Sequence, residues 1–270
     1  MIRDAPFAVD AHEPLSPWLG PRPAPAADVR ALRLEFSSRG DRVPARLLLP
    51  ARPAGRLPLL LTQHGAGGHK DAPTMDAVSL PWARRGAAVL TLDFPLHGER
   101  SSAKLGERLV LALRGETLAD SAAAALVGEF VRQAVVDLRR GLAAASAACD
   151  EVDAARVAYA GFSLGAMVGA IFCAEEPRVR AAALALGGGG MGPASIDPAA
   201  HVARIAPRPL LFVGALRDER VPRARADALL GAAREPKEAL WFDCGHTELP
   251  GAALKAIFGF LWKNVAGPGP

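Results

Sequence analysis

The sequence lacks both a cysteine framework and any long run of apolar residues. Its three cysteines, Cys149, Cys173 and Cys244, are too few and too scattered for a disulfide network or a zinc site, so we expect them to be buried as small apolar side chains. No segment approaches the roughly 18 uninterrupted apolar residues of a membrane span. The N-terminus also lacks the basic start and apolar block of a signal peptide, and we therefore expect a cytoplasmic protein with no membrane partner.

The chain also has no block of like charges. Its net charge of +4 comes mostly from arginines interspersed with acids, as in ALRDERVPRARAD (215–227). Phosphate backbones are bound by a run or stripe of basic residues, so this pattern argues against a nucleic acid as partner. Half of the 270 residues are hydrophobic, which is enough to form the core of one globular domain.

Short apolar runs alternate with amphipathic stretches along most of the chain. The runs are typical of strands that are covered on both faces. The amphipathic stretches are typical of helices, one predicted to begin at a capping pattern from Thr117 to Asp120 and another at Pro222. This alternation predicts a mostly parallel sheet with helices on both faces. The predicted strands are ARLLLP (45–50), LPLLLTQ (57–63), AAVLTLD (87–93), VAYA (157–160), AAALAL (181–186), RPLLFVG (208–214) and EALWFD (238–243).

The two ends of the chain depart from this alternation. The proline-rich stretch SPWLGPRPAPAAD (16–28) leads us to expect an extended surface arm over residues 1–40. The sequence AGPGP leads us to expect a flexible tail over residues 266–270. The folded domain is then expected over residues 41–265.

Ligands of such a sheet bind at the carboxyl ends of the strands, where Ser163 stands out. It lies in Gly161-Phe162-Ser163-Leu164-Gly165, directly after the run VAYA and before a stretch of small residues. A strand that turns at once into a helix holds its turning residue in a strained conformation and crowds the residues two before and two after it. Glycine at both places relieves that crowding, so the pattern predicts that Ser163 projects above the edge of the sheet.

A serine hydroxyl becomes a nucleophile when a base removes its proton, and the base is oriented by a carboxylate. Asp218 follows the predicted strand RPLLFVG, and His246 follows the predicted strand EALWFD. Both are therefore expected at the same sheet edge as Ser163. Glu219 is the alternative acid beside Asp218, and Asp243 is expected to end its strand rather than face the imidazole.

The other histidines raise the question of a metal site. His64, His69 and His97 have no H-x-H or H-E-x-x-H spacing, so we expect no catalytic metal. His12 lies in the expected arm and His201 in a short polar connection, so both are expected to be exposed.

Two backbone amides are candidates for binding an oxyanion. The Leu164 N–H would lie at a helix N-terminus beside Ser163. The Ala66 N–H belongs to the loop QHGAGGHKD, in which glycines keep the approach open.

Five segments together resemble the α/β-hydrolase superfamily, in particular small bacterial carboxylesterases related to dienelactone hydrolases and prolyl oligopeptidase catalytic domains. The resemblance implies the α/β-hydrolase fold over residues 41–265 without a large cap domain, with Ser163 as nucleophile, Asp218 as orienting acid and His246 as general base. Dienelactone hydrolases use a cysteine where this chain has Ser163, and prolyl oligopeptidases carry a propeller for which the first 40 residues leave no room. Dienelactone chemistry and oligopeptide cleavage are therefore disfavoured. The segments are QHGAGGHKD (63–71), LDFPLHGERS (92–101), GFSLG (161–165), GALRDERVP (214–222) and CGHTE (244–248).

The expected activity is hydrolysis of short-chain carboxylic esters of small molecules through an acyl-enzyme on Ser163, without a cofactor. Thioester hydrolysis or acyl transfer with the same residues stays open, as do a peptidase and a non-catalytic ligand receptor. The leucines within residues 95–116 either form a small lid over the acyl site or pack on the sheet.

Overall fold

The computed structural model describes residues 6–113 and 121–266. Its strands form one nine-stranded sheet. Each of the seven predicted apolar runs overlaps an observed strand, and the run LPLLLTQ coincides with one. The strands are β1 (Trp18–Arg22), β2 (Val29–Ser38), β3 (Asp41–Pro50), β4 (Leu57–Gln63), β5 (Ala88–Leu92), β6 (Val152–Phe162), β7 (Val179–Ala185), β8 (Leu210–Ala215) and β9 (Lys237–Phe242).

Helices occupy most of the connections between these strands. The helix predicted at Pro222 begins at Arg223 with Pro222 as its N-cap. The predicted capping residues Thr117 and Asp120 lie outside the described part of the chain. The helices are α1 (Pro73–Arg85), α2 (Ala103–Leu113), α3 (Ser121–Ala148), α4 (Leu164–Glu175), α5 (Pro198–His201), α6 (Arg223–Ala232) and α7 (Gly251–Val265).

The order of strands in the sheet is β1-β2-β3-β5-β4-β6-β7-β8-β9. The pairs from β5 through β9 are parallel, and the three pairs formed by β1, β2, β3 and β5 are antiparallel. The predicted mostly parallel sheet is therefore confirmed. Because β4, β6, β8 and β9 are parallel, the loops that follow them meet at one edge of the sheet.

Helices cover both faces of the sheet, as predicted. On one face α3 and α4 bury residues such as Leu138 and Ile171, and on the other α1 and α7 bury Trp82 and Ile257. The three cysteines are free and buried, which confirms the expectation for them. Within the described residues no helix has the length and apolar character needed to cross a membrane.

The stretch expected to form an extended arm is different in the structure. Strands β1 and β2 lie within residues 1–40; β1 pairs with β2, and β2 pairs with β3. Phe7 is 1% exposed and belongs to the core beside α3. The physical reason is that VRALRLEFSS in β2 alternates between buried and half-buried positions, a half-buried strand pattern that the neighbouring prolines obscured. The expected tail begins at Ala266, and its remaining residues lie outside the described part.

The leucine-rich connection after β5 contains helix α2. Leu109 is fully buried in the core, and Leu96 and Leu113 pack against that core. Leu105 is exposed. Most of these leucines therefore pack on the body of the domain, and residues 114–116 of this connection lie outside the described part.

Candidate active site

Ser163 occupies the turn between β6 and α4. Its backbone has φ 53° and ψ −114°, a strained conformation for a residue with a side chain. The flanking glycines are sterically required, because a Cβ on Gly161 would lie 2.3 Å from the Gly165 carbonyl oxygen and a Cβ on Gly165 would lie 2.4 Å from the Gln63 carbonyl oxygen. The Ser163 N–H donates to the Ala185 carbonyl at 2.8 Å, which ties the turn to β7.

Tyr159 supports this turn from inside the domain. Its buried hydroxyl donates to the Gly165 carbonyl oxygen at 2.6 Å. A Cβ on Gly169 would lie 2.1 Å from the Tyr159 ring, so this glycine makes room for the tyrosine. Sequence reasoning missed Tyr159. The available signal was the only tyrosine of the chain, four residues before the serine.

His246 and Asp218 come to Ser163 from the loops after β9 and β8. His246 Nε2 lies 2.8 Å from Ser163 Oγ. His246 Nδ1 lies 2.8 Å from one Asp218 oxygen and 2.9 Å from the other. Both the imidazole and the carboxylate are almost fully buried. The structure thus brings together the three side chains that the sequence singled out, and Asp218 favours the imidazole tautomer whose Nε2 can accept a hydrogen bond from the Ser163 hydroxyl.

The loop after β8 fixes Asp218 and gives Glu219 a different role. Asp218 Oδ1 accepts from the Arg220 and Val221 amides at 2.9 and 2.8 Å. Glu219 accepts at 3.0 Å from the backbone N–H of His246, and this bond lowers the pKa of the Glu219 carboxyl. The carboxylate on the imidazole is therefore Asp218, and Glu219 holds the histidine loop.

Asp243 lies on the exposed surface. Its carboxylate pairs with Arg217 at 3.0 Å. This agrees with the expectation that Asp243 does not face the imidazole.

The two candidate oxyanion donors lie in segments that flank Ser163. Leu164 is the first residue of α4, so its N–H has no acceptor within the helix. The loop after β4 passes along the serine, because a Cβ on Gly65 would lie 3.1 Å from Ser163 Cβ and 3.7 Å from its Oγ. Ala66 is the next residue of that loop and is exposed.

Two further histidines, His64 of this loop and His97 of the loop after β5, are buried, neutral side chains. The His64 and His97 rings are 5.3 Å apart. Burial lowers the pKa of His64 to about 4 and also lowers that of His97. Among residues 6–113 and 121–266, no group of three or more histidine, cysteine or acidic side chains is arranged to hold a metal ion.

The remaining histidines have different surroundings. His12 and His69 are exposed. The expectation of an exposed His201 is wrong, since it is buried at the end of α5 and its ring lies 5.5 Å from that of Phe7. A contact between residues so distant in sequence is not visible in the local pattern.

A serine hydroxyl bonded to an imidazole that a carboxylate orients is suited to acyl transfer through a covalent intermediate. The sequence profile of the acetyl xylan esterase family matches residues 9–186, which is more than half of the chain. The chain belongs to the acetyl xylan esterase family. The match includes Ser163 and both candidate oxyanion segments of this esterase.

Solved structures of esterases share the fold. Acetyl xylan esterase 1 from Thermoanaerobacterium sp. JW/SL YS485 is 18% identical, with a TM-score of 0.74 over 96% of this chain and 92% of the other. Acetyl xylan esterase from Paenibacillus sp. R4 is 20% identical, with a TM-score of 0.74 over 92% and 89%. A cold-adapted esterase from an Arctic intertidal metagenomic library is 20% identical, with a TM-score of 0.70 over 90% and 97%.

No curated protein sequence matches the chain. The family and the shared fold nevertheless identify it as an ester-hydrolysing enzyme with the α/β-hydrolase fold. This confirms the expectation of a carboxylesterase drawn from the sequence.

Proposed function

We propose that this esterase removes acetyl and other short acyl groups from hydroxyls of small molecules, with Ser163 as the nucleophile. The observation that carries the proposal is the continuous chain of hydrogen bonds from Ser163 Oγ through His246 to Asp218, with contacts of 2.8 Å on each side of the imidazole. The preference for acetyl esters is supported by the family to which the chain belongs.

The reaction begins when Ser163 Oγ attacks the ester carbonyl carbon and His246 Nε2 takes the hydroxyl proton. The carbonyl oxygen becomes an oxyanion that accepts hydrogen bonds from the Ala66 and Leu164 amides. Asp218 stabilises the imidazolium. When the tetrahedral intermediate collapses, the bond to the alcohol oxygen breaks and His246 returns the proton to that oxygen, leaving an acetylated Ser163.

Water completes the cycle by the same route. His246 Nε2 takes one proton from the water while its oxygen attacks the acyl carbon. The second tetrahedral intermediate collapses to acetic acid, and the proton returns from His246 to Ser163 Oγ. The residues named here account for every proton transfer, so the proposal involves no cofactor. The cytoplasmic location stays a prediction from the sequence.

The direct test is hydrolysis of p-nitrophenyl acetate, butyrate, octanoate and palmitate by the purified protein. We expect activity to fall as the acyl chain lengthens. Ser163→Ala should lower kcat by at least about 10⁴-fold, because the covalent route is lost.

Ser146→Ala is the matched control. It is the same chemical change on α3, where the hydroxyl donates to the Leu142 carbonyl. The control should retain wild-type activity. Full activity of Ser163→Ala would contradict the proposed nucleophile. Hydrolysis of acyl-CoA without hydrolysis of any ester would contradict the proposed esterase activity and indicate a thioesterase.

A further inference from the structure

The loop that carries the Ala66 amide is rich in glycine, and within it the His64 ring and the Gly68 N–H bond the Gly65 carbonyl oxygen at 2.8 and 3.1 Å. Between His64 and Lys70 it contains Gly65, Gly67 and Gly68. Gly67 has φ +76°, and a Cβ there would have no heavy atom within 4 Å. Glycine gives a chain many accessible conformations, yet an oxyanion donor is effective only when it is held in place before the reaction. We therefore expect contacts at the end of the loop to contribute to its position.

Lys70 ends the loop and is held at two points by one carboxylate. Its backbone N–H donates to Asp93 Oδ1 at 2.8 Å, and its Nζ donates to Asp93 Oδ2 at 2.8 Å. Lys70 is 1% exposed and Asp93 is fully buried. Burial lowers the pKa of the Lys70 ammonium, but hydrogen bonds to Asp93 and Glu99 outweigh this and raise it overall. The lysine is therefore charged, and its position is fixed by a charge-assisted pair.

The same carboxylate also holds the loop after β5. Asp93 Oδ2 accepts from the Glu99 backbone N–H at 3.0 Å. Gly98 has φ +54°, and a Cβ there would lie 2.3 Å from the Asp93 carboxylate, so only glycine fits against it. Asp93 thus joins the two loops that follow β4 and β5.

The pair is connected outward to the N-terminal strands. The Glu99 carboxylate accepts a hydrogen bond from Lys70 Nζ. It also accepts two hydrogen bonds from Arg33 of β2, at 2.9 and 2.6 Å. Asp71 pairs with Arg22 of β1 at 2.9 Å. The Arg33 guanidinium, together with Lys70, lowers the pKa of Glu99 to about 2, so this carboxylate is charged across the working range of an esterase. Ion pairs therefore connect the end of the loop to strands β1 and β2 of the sheet.

We propose that Lys70 and Asp93 are positioning residues for the oxyanion hole, holding the loop so that the Ala66 amide faces the ester carbonyl at Ser163. The inference rests on the proposed function. It predicts that loss of the pair weakens binding of the tetrahedral intermediate much more than binding of the substrate. An ion pair with a purely structural role would affect stability alone.

The test compares Lys70→Met, Lys70→Arg and Lys237→Met with the wild type. Lys237 is the control because its ammonium is also bonded within the fold, to the Leu230 and Ala233 carbonyls, but lies at the start of β9, away from Ser163. Each protein is assayed for kcat and KM with p-nitrophenyl acetate. The dissociation constant of phenylboronic acid is measured as well, because its tetrahedral serine adduct places an oxygen in the oxyanion hole.

We expect Lys70→Met to lower kcat by about 10- to 100-fold, as a misplaced transition-state contact does. Its KM should change less than about threefold, and phenylboronic acid should bind more weakly in proportion to the loss of kcat. Lys70→Arg should recover most of both losses. Lys237→Met should match the wild type in both measurements.

Unchanged kcat and boronate affinity in folded Lys70→Met would overturn the inference. If that variant does not fold, Glu99→Gln serves in its place, since Glu99 is partly exposed and its loss leaves the Lys70–Asp93 pair weakened but present. A smaller loss of kcat with parallel weakening of boronate binding supports the inference, and wild-type values contradict it. If the wild type hydrolyses no ester, the proposed function is contradicted. The difference in boronate affinity between the wild type and Lys70→Met would then still show whether Lys70 positions the loop.

Discussion

At the scale of single residues, His64 shows how burial keeps a side chain next to the candidate site in its neutral form. Its Nδ1 lies 2.8 Å from the Gly65 carbonyl oxygen, to which it donates, and its Nε2 accepts from the Phe94 N–H at 3.4 Å. A proton on Nε2 would remove that acceptor. Burial accordingly lowers the pKa of His64 to about 4, and the neutral ring is part of the folded structure of the loop.

This predicts a dependence of stability on pH. In the unfolded chain His64 takes up a proton near its ordinary pKa of about 6.5, whereas in the folded chain it does so only near 4. The stability from the neutral ring is fully present above pH 6.5 and is lost as the pH falls towards 4. Urea unfolding between pH 7 and 4 should show a shallower decline for His64→Asn than for the wild type.

His12→Asn is the control for this measurement, because His12 is exposed on the surface. Its unfolding free energy should decline with pH as steeply as that of the wild type. Equal declines for His64→Asn and the wild type would show that the buried ring does not titrate as its surroundings indicate.

The residue types at the candidate site were predictable, but the partners that hold them were not. Ser163, Asp218 and His246 could be selected because each follows a predicted strand in a motif with few alternatives. Glu219 could be named only as a competing acid, since its bond to the His246 amide depends on how two distant loops meet. The roles of Tyr159, Lys70 and Asp93 could not be predicted, because they depend on contacts that only the fold brings about.

At the scale of elements, the contact between β6 and α4 decides how closely Ser163 is held. Tyr159 of the strand lies against Gly169 of the helix, and its hydroxyl bonds the first turn of that helix. The small residues of GFSLGAMVGA predict a closely packed helix, and the structure confirms the close approach. The tyrosine ring fills the space that Gly169 leaves.

Gly169→Ala should therefore destabilise the protein. The added methyl would lie 2.1 Å from the Tyr159 ring in the undisturbed structure, and overpacking of this kind costs about 1–3 kcal/mol. Gly259→Ala on α7 is the matched control, because a Cβ there has no heavy atom within 4 Å. It should stabilise by about 0.5–1 kcal/mol, since alanine favours the helix.

Denaturant unfolding of both variants checks this pair of predictions. Opposite signs for the two changes in unfolding free energy would support the packing argument. A neutral Gly169→Ala would mean that the tyrosine moves aside without cost.

At the scale of the whole molecule, the N-terminal segment is built into the domain. Arg140 of α3 donates to the carbonyls of Glu13 and Pro14 at 3.1 and 3.0 Å. Arg22 and Arg33 of β1 and β2 form ion pairs with the loops beside the candidate site. We therefore propose that the described residues from 6 to 266 form one folding unit, in place of an arm followed by a domain.

Phe7→Ala tests this proposal. Phe7 is 1% exposed, and truncating a buried phenylalanine costs about 3–5 kcal/mol. Trp18→Ala is the control, because that ring is 50% exposed and its removal should cost less than about 1 kcal/mol. A single unfolding transition lowered only by Phe7→Ala would support one unit, and an unchanged midpoint for that variant would contradict it.

The sequence predicted the parallel half of the sheet better than the antiparallel half. Strands β4, β5 and β8 are almost entirely buried and appear as largely apolar runs, a strong signal. Strand β2 is only half buried and lies beside prolines, so its alternation was hidden. The burial of Phe7 and His201 arises from a contact between distant parts of the chain, which no local pattern contains.

The most direct test of the account is to label the protein with diethyl p-nitrophenyl phosphate and locate the adduct by mass spectrometry of its peptides. The account predicts that one diethylphosphoryl group per chain is transferred to Ser163 and that one equivalent of p-nitrophenolate is released. His246→Ala should react far more slowly, because no base removes the serine proton. Modification of another residue, or equal labelling of His246→Ala, would contradict the assignment of Ser163 as the nucleophile activated by His246.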